Sequence, residues 1–403
     1  MKKRSGCSWI FFMVLSTALV LLGFSMAKGR LPQLSGMLTQ PGLTTVETTA
    51  PPALQPPEFA KAGRYRYHYH QLEEAQQKAY RDIYSQLPGF PESVAVEGIT
   101  TQQLNAVFSA LLFDQPLLFQ ISSTNYKTRS VDGKLAAFIP EYRMDREKYQ
   151  RRCETLLRAV QALTAPAGGS QFDIELALHD QLVRMCSYSE AAEDAEKSTA
   201  YGALVENSAS CEGYAKAMQL LLELYDIDSY IVTGNASNAA GFSGGHAWNK
   251  VRIEGDWYYL DATWNDPVVE DGKKSNISHA YFNLSEADLS KTHEITTEKD
   301  KCTAISQNYF VKKGLEFSKI DRGAEALLSQ ALAAALDAGD NVLELRLTSS
   351  RAMSDAVDYL FQRQRIFRVL TNADLGGTRL KTDTVYRSEL PQLRVIRIMP
   401  VLK

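Results

Sequence analysis

The chain has 403 residues, 45% of them hydrophobic and 23% charged, with a formal net charge of −3. A chain of this length holds two or three domains of roughly 100–200 residues, with the core material of an ordinary globular protein. It has no basic stripe interleaved with aromatics, which argues against nucleic acid as a partner.

The amino terminus reads as a targeting segment. Lys2, Lys3 and Arg4 precede an uncharged, mostly apolar run from Cys7 to Ala27. That run matches the roughly 20 residues a helix needs to span a bilayer. Positive charge before it predicts that the N-terminus stays cytoplasmic and the rest is exported, giving an extracytoplasmic protein that is membrane-anchored or secreted. Ser25 and Ala27 give a small-x-small cleavage pattern, so residues 1–27 fit a membrane anchor or a removable signal peptide. Residues 28–57 carry Pro32, Pro41, Pro51, Pro52, Pro56 and Pro57 among threonines and few charges, the composition of an extended tether.

Residues 58–167 form a first α+β module. Tyr65 to Tyr69 reads as a strand, and Leu72 to Leu87 as a helix stopped by Pro88-Gly89. A strand follows at Ser93 to Glu97, then a helix capped by Thr100 or Thr101 running through Phe113. A strand at Lys134 to Tyr142 and a helix at Asp145 to Leu163 complete the module. Residues 308–403 read similarly: a strand at Asn308 to Lys312, a helix at Ala324 to Ala338 and a strand at Val342 to Leu347. Ser349 or Ser350 then caps a second helix, and Leu393 to Met399 is a final strand. The capped helices in "ITTQQLNAVFSALLF" and "LTSSRAMSDAVDYLF" place their apolar positions at similar offsets, a pattern that any two capped amphipathic helices share.

The middle block, residues 170–307, holds four of the six histidines and three of the four tryptophans. A helix is expected from Phe172 to Cys186. In "SASCEGYAKAMQLLLELY", Ser208 or Ser210 can serve as N-cap, and Ala215, Met218, Leu222 and Tyr225 repeat at helical spacing. Cys211 then lies in the first turn. A helix N-terminus stabilises a thiolate, and its free amides can bind an oxyanion. Of the five cysteines, Cys7, Cys153, Cys186, Cys211 and Cys302, no two have CxxC spacing, so a zinc ribbon or thioredoxin motif is excluded.

Downstream, "GGHAWNKVRIEGDWYYLDATW" reads as a hairpin about Glu254-Gly255. Pairing Ile253 with Asp256 puts His246 opposite Thr263, and Asp261 one diagonal step away on the same face. A slip of one residue would separate them. A carboxylate beside a histidine fixes its tautomer and stabilises its cation, and that histidine can take a proton from a thiol. Three further residues are candidates for substrate binding, each with core packing as the competing role: Trp248 on the His246 face, Tyr201 as a second oxyanion donor, and Gly213, which leaves room beside the cysteine.

"SCEGYAKAMQLLL", "GHAWNKVRIEGDWYYLDATWNDP" and "YFNLSEADL" resemble the bacterial transglutaminase-like superfamily, in its branch of exported proteins and cytokinesis-associated relatives. The resemblance spans roughly Leu176 to His293. It implies an α+β fold with a papain-like core, a helix packed on an antiparallel sheet, here flanked by two smaller α/β modules. It also implies Cys211 as nucleophile, His246 as base and Asp261 as orienting acid, with no cofactor or metal. The expected activity is that of a protease, amidase or transglutaminase acting on a peptide or protein substrate, cell-wall peptides among them, and the acyl acceptor is left open. No acidic loop is arranged like a calcium site. The competing reading is a non-catalytic binding module at the cell surface that keeps the same fold.

Overall fold

The computed structural model describes residues 66–190, 194–238, 241–266, 277–296, 301–373 and 380–402. The targeting segment and tether expected at 1–57 lie outside the described residues. Among the described residues no helix is long and apolar enough to cross a membrane.

The first module differs from its sequence reading at its start. Tyr67–His70 is a turn of helix, where a strand was expected. Tyr67 and Tyr69 are both buried, which imitates strand alternation in the sequence. The buried Asp114 carboxylate instead accepts the backbone N–H groups of His68 and Tyr69 at 3.2 and 2.8 Å, as a capping carboxylate does. The helices Glu74–Gln86, Thr101–Asp114 and Arg146–Ala162 follow close to their expected places. Thr100 and Gln103 form a reciprocal capping box. The sheet has the order β1 (Val94–Ala95), β3 (Lys134–Tyr142), β2 (Ile121–Val131). β2 was not anticipated: most of its residues are polar and largely exposed, so no apolar alternation marks it.

In the central region the helix Gln171–Met185 precedes two short parallel strands, β4 (Ser187–Tyr188) and β5 (Ser208–Ala209). The helix Cys211–Glu223 follows at once. Beyond it lies an antiparallel sheet in the order β8-β7-β6-β9, with β6 Ser229–Ser237, β7 Ser243–Ile253, β8 Asp256–Leu260 and β9 His293–Ile295. The β7–β8 turn is Glu254-Gly255, with φ of 51° and 94°, and Ile253 pairs with Asp256 in the expected register.

The two faces of this sheet bury different partners. Val251, Ile253, Tyr258 and Leu260 share a core with Tyr214, Met218 and Leu222 of the Cys211 helix. Tyr230, Val232, Trp248 and Tyr259 share another with Leu328, Leu345 and Ile396 of the C-terminal module. The fold is mixed α+β, with its helices packed on largely antiparallel sheets.

In the C-terminal module, Tyr309–Lys312 is a helical turn where a strand was expected. Asn308 causes this, because its side chain accepts the Phe310 N–H at 3.1 Å and starts a turn. The sheet runs β10 (Glu316–Phe317), β11 (Leu343–Leu347), β13 (Val395–Leu402), β12 (Leu380–Leu390), with β10 parallel to β11. This mixed sheet differs from the antiparallel β1-β3-β2 sheet, so the similar helix offsets of the two flanking blocks do not extend to a shared topology.

Gly213 illustrates how tightly the Cys211 helix is seated. A Cβ there would lie 2.2 Å from the Lys197 carbonyl oxygen and 2.8 Å from the Ala209 Cβ. Gly213→Ala is therefore expected to destabilise the fold by about 1–3 kcal/mol, seen as a fall of several degrees in the thermal midpoint. An unchanged midpoint would contradict this packing.

Candidate active site

Cys211 is the first residue of its helix, and the chain enters through Ser210 at the N-cap position. The Ser210 hydroxyl does not cap the helix. It donates instead to the Lys197 carbonyl at 3.2 Å, as does the Ser210 N–H at 2.9 Å. The first-turn amides thus have no capping side chain in front of them. This is the environment that favours a thiolate and an oxyanion. Among the four free cysteines described, Cys153, Cys186 and Cys302 are buried, and Cys211 is partly exposed.

His246 is on β7, opposite Gly234 of β6. Its Nε2 lies 2.8 Å from Asp261 Oδ2. Burial alone would lower the imidazole's basicity. The Asp261 carboxylate and a hydrogen bond with Cys211 outweigh burial and raise it from 6.5 to about 10. Asp261 is 1% exposed. Burial would raise its pKa, but His246 and His293 together hold the carboxyl well below its usual range. The site at neutral pH therefore holds an imidazolium between a carboxylate and a sulfur.

The contact between His246 and Asp261 is reached by a different route from the diagonal pairing expected in the sequence. The β7–β8 ladder ends at Asn249–Leu260, and Asp261 leaves the strand. Its N–H donates to the Tyr281 carbonyl at 3.1 Å, and its own carbonyl accepts the Asn265 N–H at 3.2 Å. The Trp264 N–H donates to Asp261 Oδ1 at 3.1 Å. The turn at residues 261–265 thus aims the carboxylate.

The structure gathers Cys211, His246 and Asp261, and gives the three substrate-binding candidates packing positions. Trp248 is 1% exposed and stacks beneath His246, with ring centroids 5.8 Å apart. Gly213 is buried against Lys197. Tyr201 packs on Phe119 and under the Arg152 guanidinium, 4.7 Å from its ring centroid. All three are buried, in keeping with the packing role weighed for each.

Two residues at the site were missed. Tyr188, on β4, has a phenol raised by burial and raised further by its electrostatic interaction with Cys211. The pairing of β4 with β5, which leads into Cys211, puts it at the site. His293 on β9 places Nε2 3.1 Å from Asp261 Oδ2. In the sequence it is a lone histidine near an exposed loop, without a pattern to mark it.

Among the described residues, two clusters offer ligand atoms within 4.8 Å of one another: His246, Asp261 and His293, and separately His179, Asp180 and His279. Hydrogen bonds already use these atoms. In the second cluster Asn265 Oδ1 accepts the Tyr281 N–H, so its Nδ2 donates to His179 Nε2. The His179 proton then sits on Nδ1, the atom that would have to ligate, and points at Asp180.

Residues 158–262 match the family model described as the Transglutaminase-like superfamily. The chain carries a transglutaminase-like domain. The match takes in Cys211, His246 and Asp261 and stops before His293. Solved structures with a similar arrangement include a TGase, with 15% identity, a TM-score of 0.27, and coverage of 39% of this chain and 48% of that one. The periplasmic domain of TgpA from Pseudomonas aeruginosa gives 15%, 0.16, 36% and 66%. Menin gives 16%, 0.23, 57% and 52%. The chain thus spans less than two thirds of each. No curated protein matches.

The histidines of the transglutaminase-like domain make its stability depend on pH. His279, buried between Asp180 and Glu344 at 3.1 and 2.8 Å, would be lowered by burial but is raised by the two carboxylates to about 9. Both His246 and His279 bind their proton more tightly folded than unfolded, where the value is about 6.5. Their contribution is full below pH 6.5 and is lost as pH rises through 9 and then 10. The thermal midpoint is expected to fall steadily between pH 6.5 and 10. A midpoint that is flat or rising across that range would contradict the assignment.

Proposed function

We propose that the protein is an extracytoplasmic cysteine-nucleophile enzyme that acts on peptide or protein amide bonds through a Cys211 thioester. The observation that carries this is the placement of Cys211 at an uncapped helix N-terminus, hydrogen-bonded to an imidazole that Asp261 holds charged. Its extracytoplasmic action is supported by the basic residues and apolar run at the amino terminus.

In this reading the Cys211 thiolate attacks the amide carbon, and the carbonyl electron pair moves onto oxygen. The Cys211 N–H, at the start of its helix, is a donor that can meet that oxyanion. Collapse of the intermediate expels the amine, which takes its proton from the His246 imidazolium, and leaves the thioester. Neutral His246 then removes a proton from the acceptor, water or an amine, as it attacks. Thiolate departs, and the imidazolium is restored. Phe242 is 39% exposed, with its ring centroid 6.3 Å from that of His246 and 6.1 Å from that of Trp264. It supplies an apolar wall for a substrate side chain.

The test is labelling with a peptide carrying a thiol-reactive warhead, followed by mapping of the modified residue. The expected product carries one label on Cys211, and His246→Ala slows labelling by at least about tenfold. A probe that spares Cys211, or a folded Cys211→Ala protein with its full biological activity, would support the binding-module reading.

A further inference from the structure

We propose that His293 is a positioning residue for the site: a second imidazole that, with His246, clamps one oxygen of the Asp261 carboxylate and fixes the acid that orients the base. This rests on the triad reading above and adds to it a residue outside the matched family region.

The geometry comes from three strands. β9 pairs with β6 so that His293 faces Ala236, and β6 pairs with β7 so that Gly234 faces His246 and Ala236 faces Gly244. His293, Ala236, Gly234, His246 and Gly244 therefore share one face, where small residues on the middle strand leave room for two imidazoles. The ring centroids are 5.5 Å apart. Both Nε2 atoms meet Asp261 Oδ2, His246 at 2.8 Å and His293 at 3.1 Å, while Oδ1 accepts the Trp264 N–H at 3.1 Å.

The protonation of His293 follows from its partners. An ionised carboxylate only accepts, so His293 Nε2 carries a proton and donates it. Its Nδ1 lies 2.9 Å from the Thr292 hydroxyl, whose one proton is shared between this ring and the more distant Leu289 carbonyl at 3.3 Å. Burial lowers the basicity of His293, Asp261 raises it, and the charge on His246 lowers it again, with a net lowering that keeps the ring neutral. The titratable groups around it are Asp261, His246 and the Tyr281 phenol, with Cys211 and Tyr188 beyond His246. Trp248 and Trp264 pack on the ring at centroid distances of 4.8 and 4.5 Å. The two histidines thus divide the work on one carboxylate: His246 is charged and faces the thiol, and His293 is neutral and holds the acid in place.

The experiment follows the rate of Cys211 alkylation by iodoacetamide against pH in wild type, His246→Ala, His293→Phe and His293→Gln, with thermal midpoints for each. Phenylalanine keeps the ring packing and removes the donor. Its acid limb is expected to move up by about one pH unit, which is roughly a tenfold loss of alkylation at pH 6. Glutamine keeps an N–H donor and should return the rate to within about threefold of wild type. A folded His293→Phe with the wild-type limb, or variants that lose midpoint with no change in the limb, would overturn the proposal. If neither variant folds, 15N spectra of the wild-type histidines decide it. His293 protonated at Nε2 and bare at Nδ1 from pH 5 to 9 supports the clamp, and a ring protonated only at Nδ1 overturns it. A wild-type limb indifferent to His246→Ala removes the triad reading and the clamp together. A limb that responds to His246→Ala but not to His293→Phe removes the clamp alone.

Discussion

Replacing Cys211 by alanine is expected to lower acyl transfer by at least about three orders of magnitude while leaving the thermal midpoint within a few degrees of wild type. The side chain is small and partly exposed, so its loss opens little cavity. In the proposed mechanism its sulfur forms the thioester, and no neighbour can replace it. His246→Ala should match that loss, since without the imidazole the thiol has neither a base nor a cation to pair with. The two losses should not add in the double variant, because nucleophile and base act as one unit. The check is steady-state turnover of an amide substrate by the three variants, with calorimetry on the same samples.

Asp261→Ala is the second large effect, and it falls on both stability and activity. The carboxylate is 1% exposed and accepts from His246, His293 and the Trp264 N–H. Removing it leaves three buried donors without an acceptor, together costing on the order of 3–5 kcal/mol. The His246 cation also loses its stabiliser, so burial pushes that imidazole down from about 10. Asp261→Asn is milder. An amide oxygen in the Oδ2 position still accepts from both rings, but the amide NH2 then faces the Trp264 N–H, which loses its acceptor, and the negative charge that stabilises the His246 cation is gone. The expected order of activity is wild type, then Asn at roughly 10²–10⁴-fold lower, then Ala lower still. The alkaline limb of the Asn variant should lie well below pH 10. Calorimetry and a pH–rate profile check both parts.

The parts of this site legible in the sequence are those that depend on local periodicity. The helix at Cys211 follows from apolar spacing behind a serine, and the hairpin register follows from Glu254-Gly255, so both lie where the residues direct them. The approach of His246 to Asp261 was legible in outcome but not in route. The strand ends at Leu260, and the turn at residues 261–265 depends on the Asp261 N–H donating to the Tyr281 carbonyl and the Asn265 N–H donating to the Asp261 carbonyl, partners far away or outside the strand pattern. His293 was not legible, because its role depends on β9 adding to the far edge of the sheet. Tyr67–His70 and Tyr309–Lys312 were misread for a common reason: a single polar side chain, Asp114 or Asn308, captures backbone amides and outweighs weak strand propensity. Trp248, a candidate for substrate binding or for core packing, is buried because the C-terminal module covers that face of the sheet.

The most direct measurement of the account is brief iodoacetamide treatment at pH 6, with the labelled cysteine mapped by mass spectrometry. Cys211 should react at least about a hundredfold faster than Cys153, Cys186 and Cys302, because it is partly exposed at a helix N-terminus beside a histidine while the other three are buried. The Cys211 rate should fall in His246→Ala. Labelling spread evenly over the four cysteines, or a Cys211 whose rate does not depend on His246, would contradict the assignment of Cys211 as nucleophile.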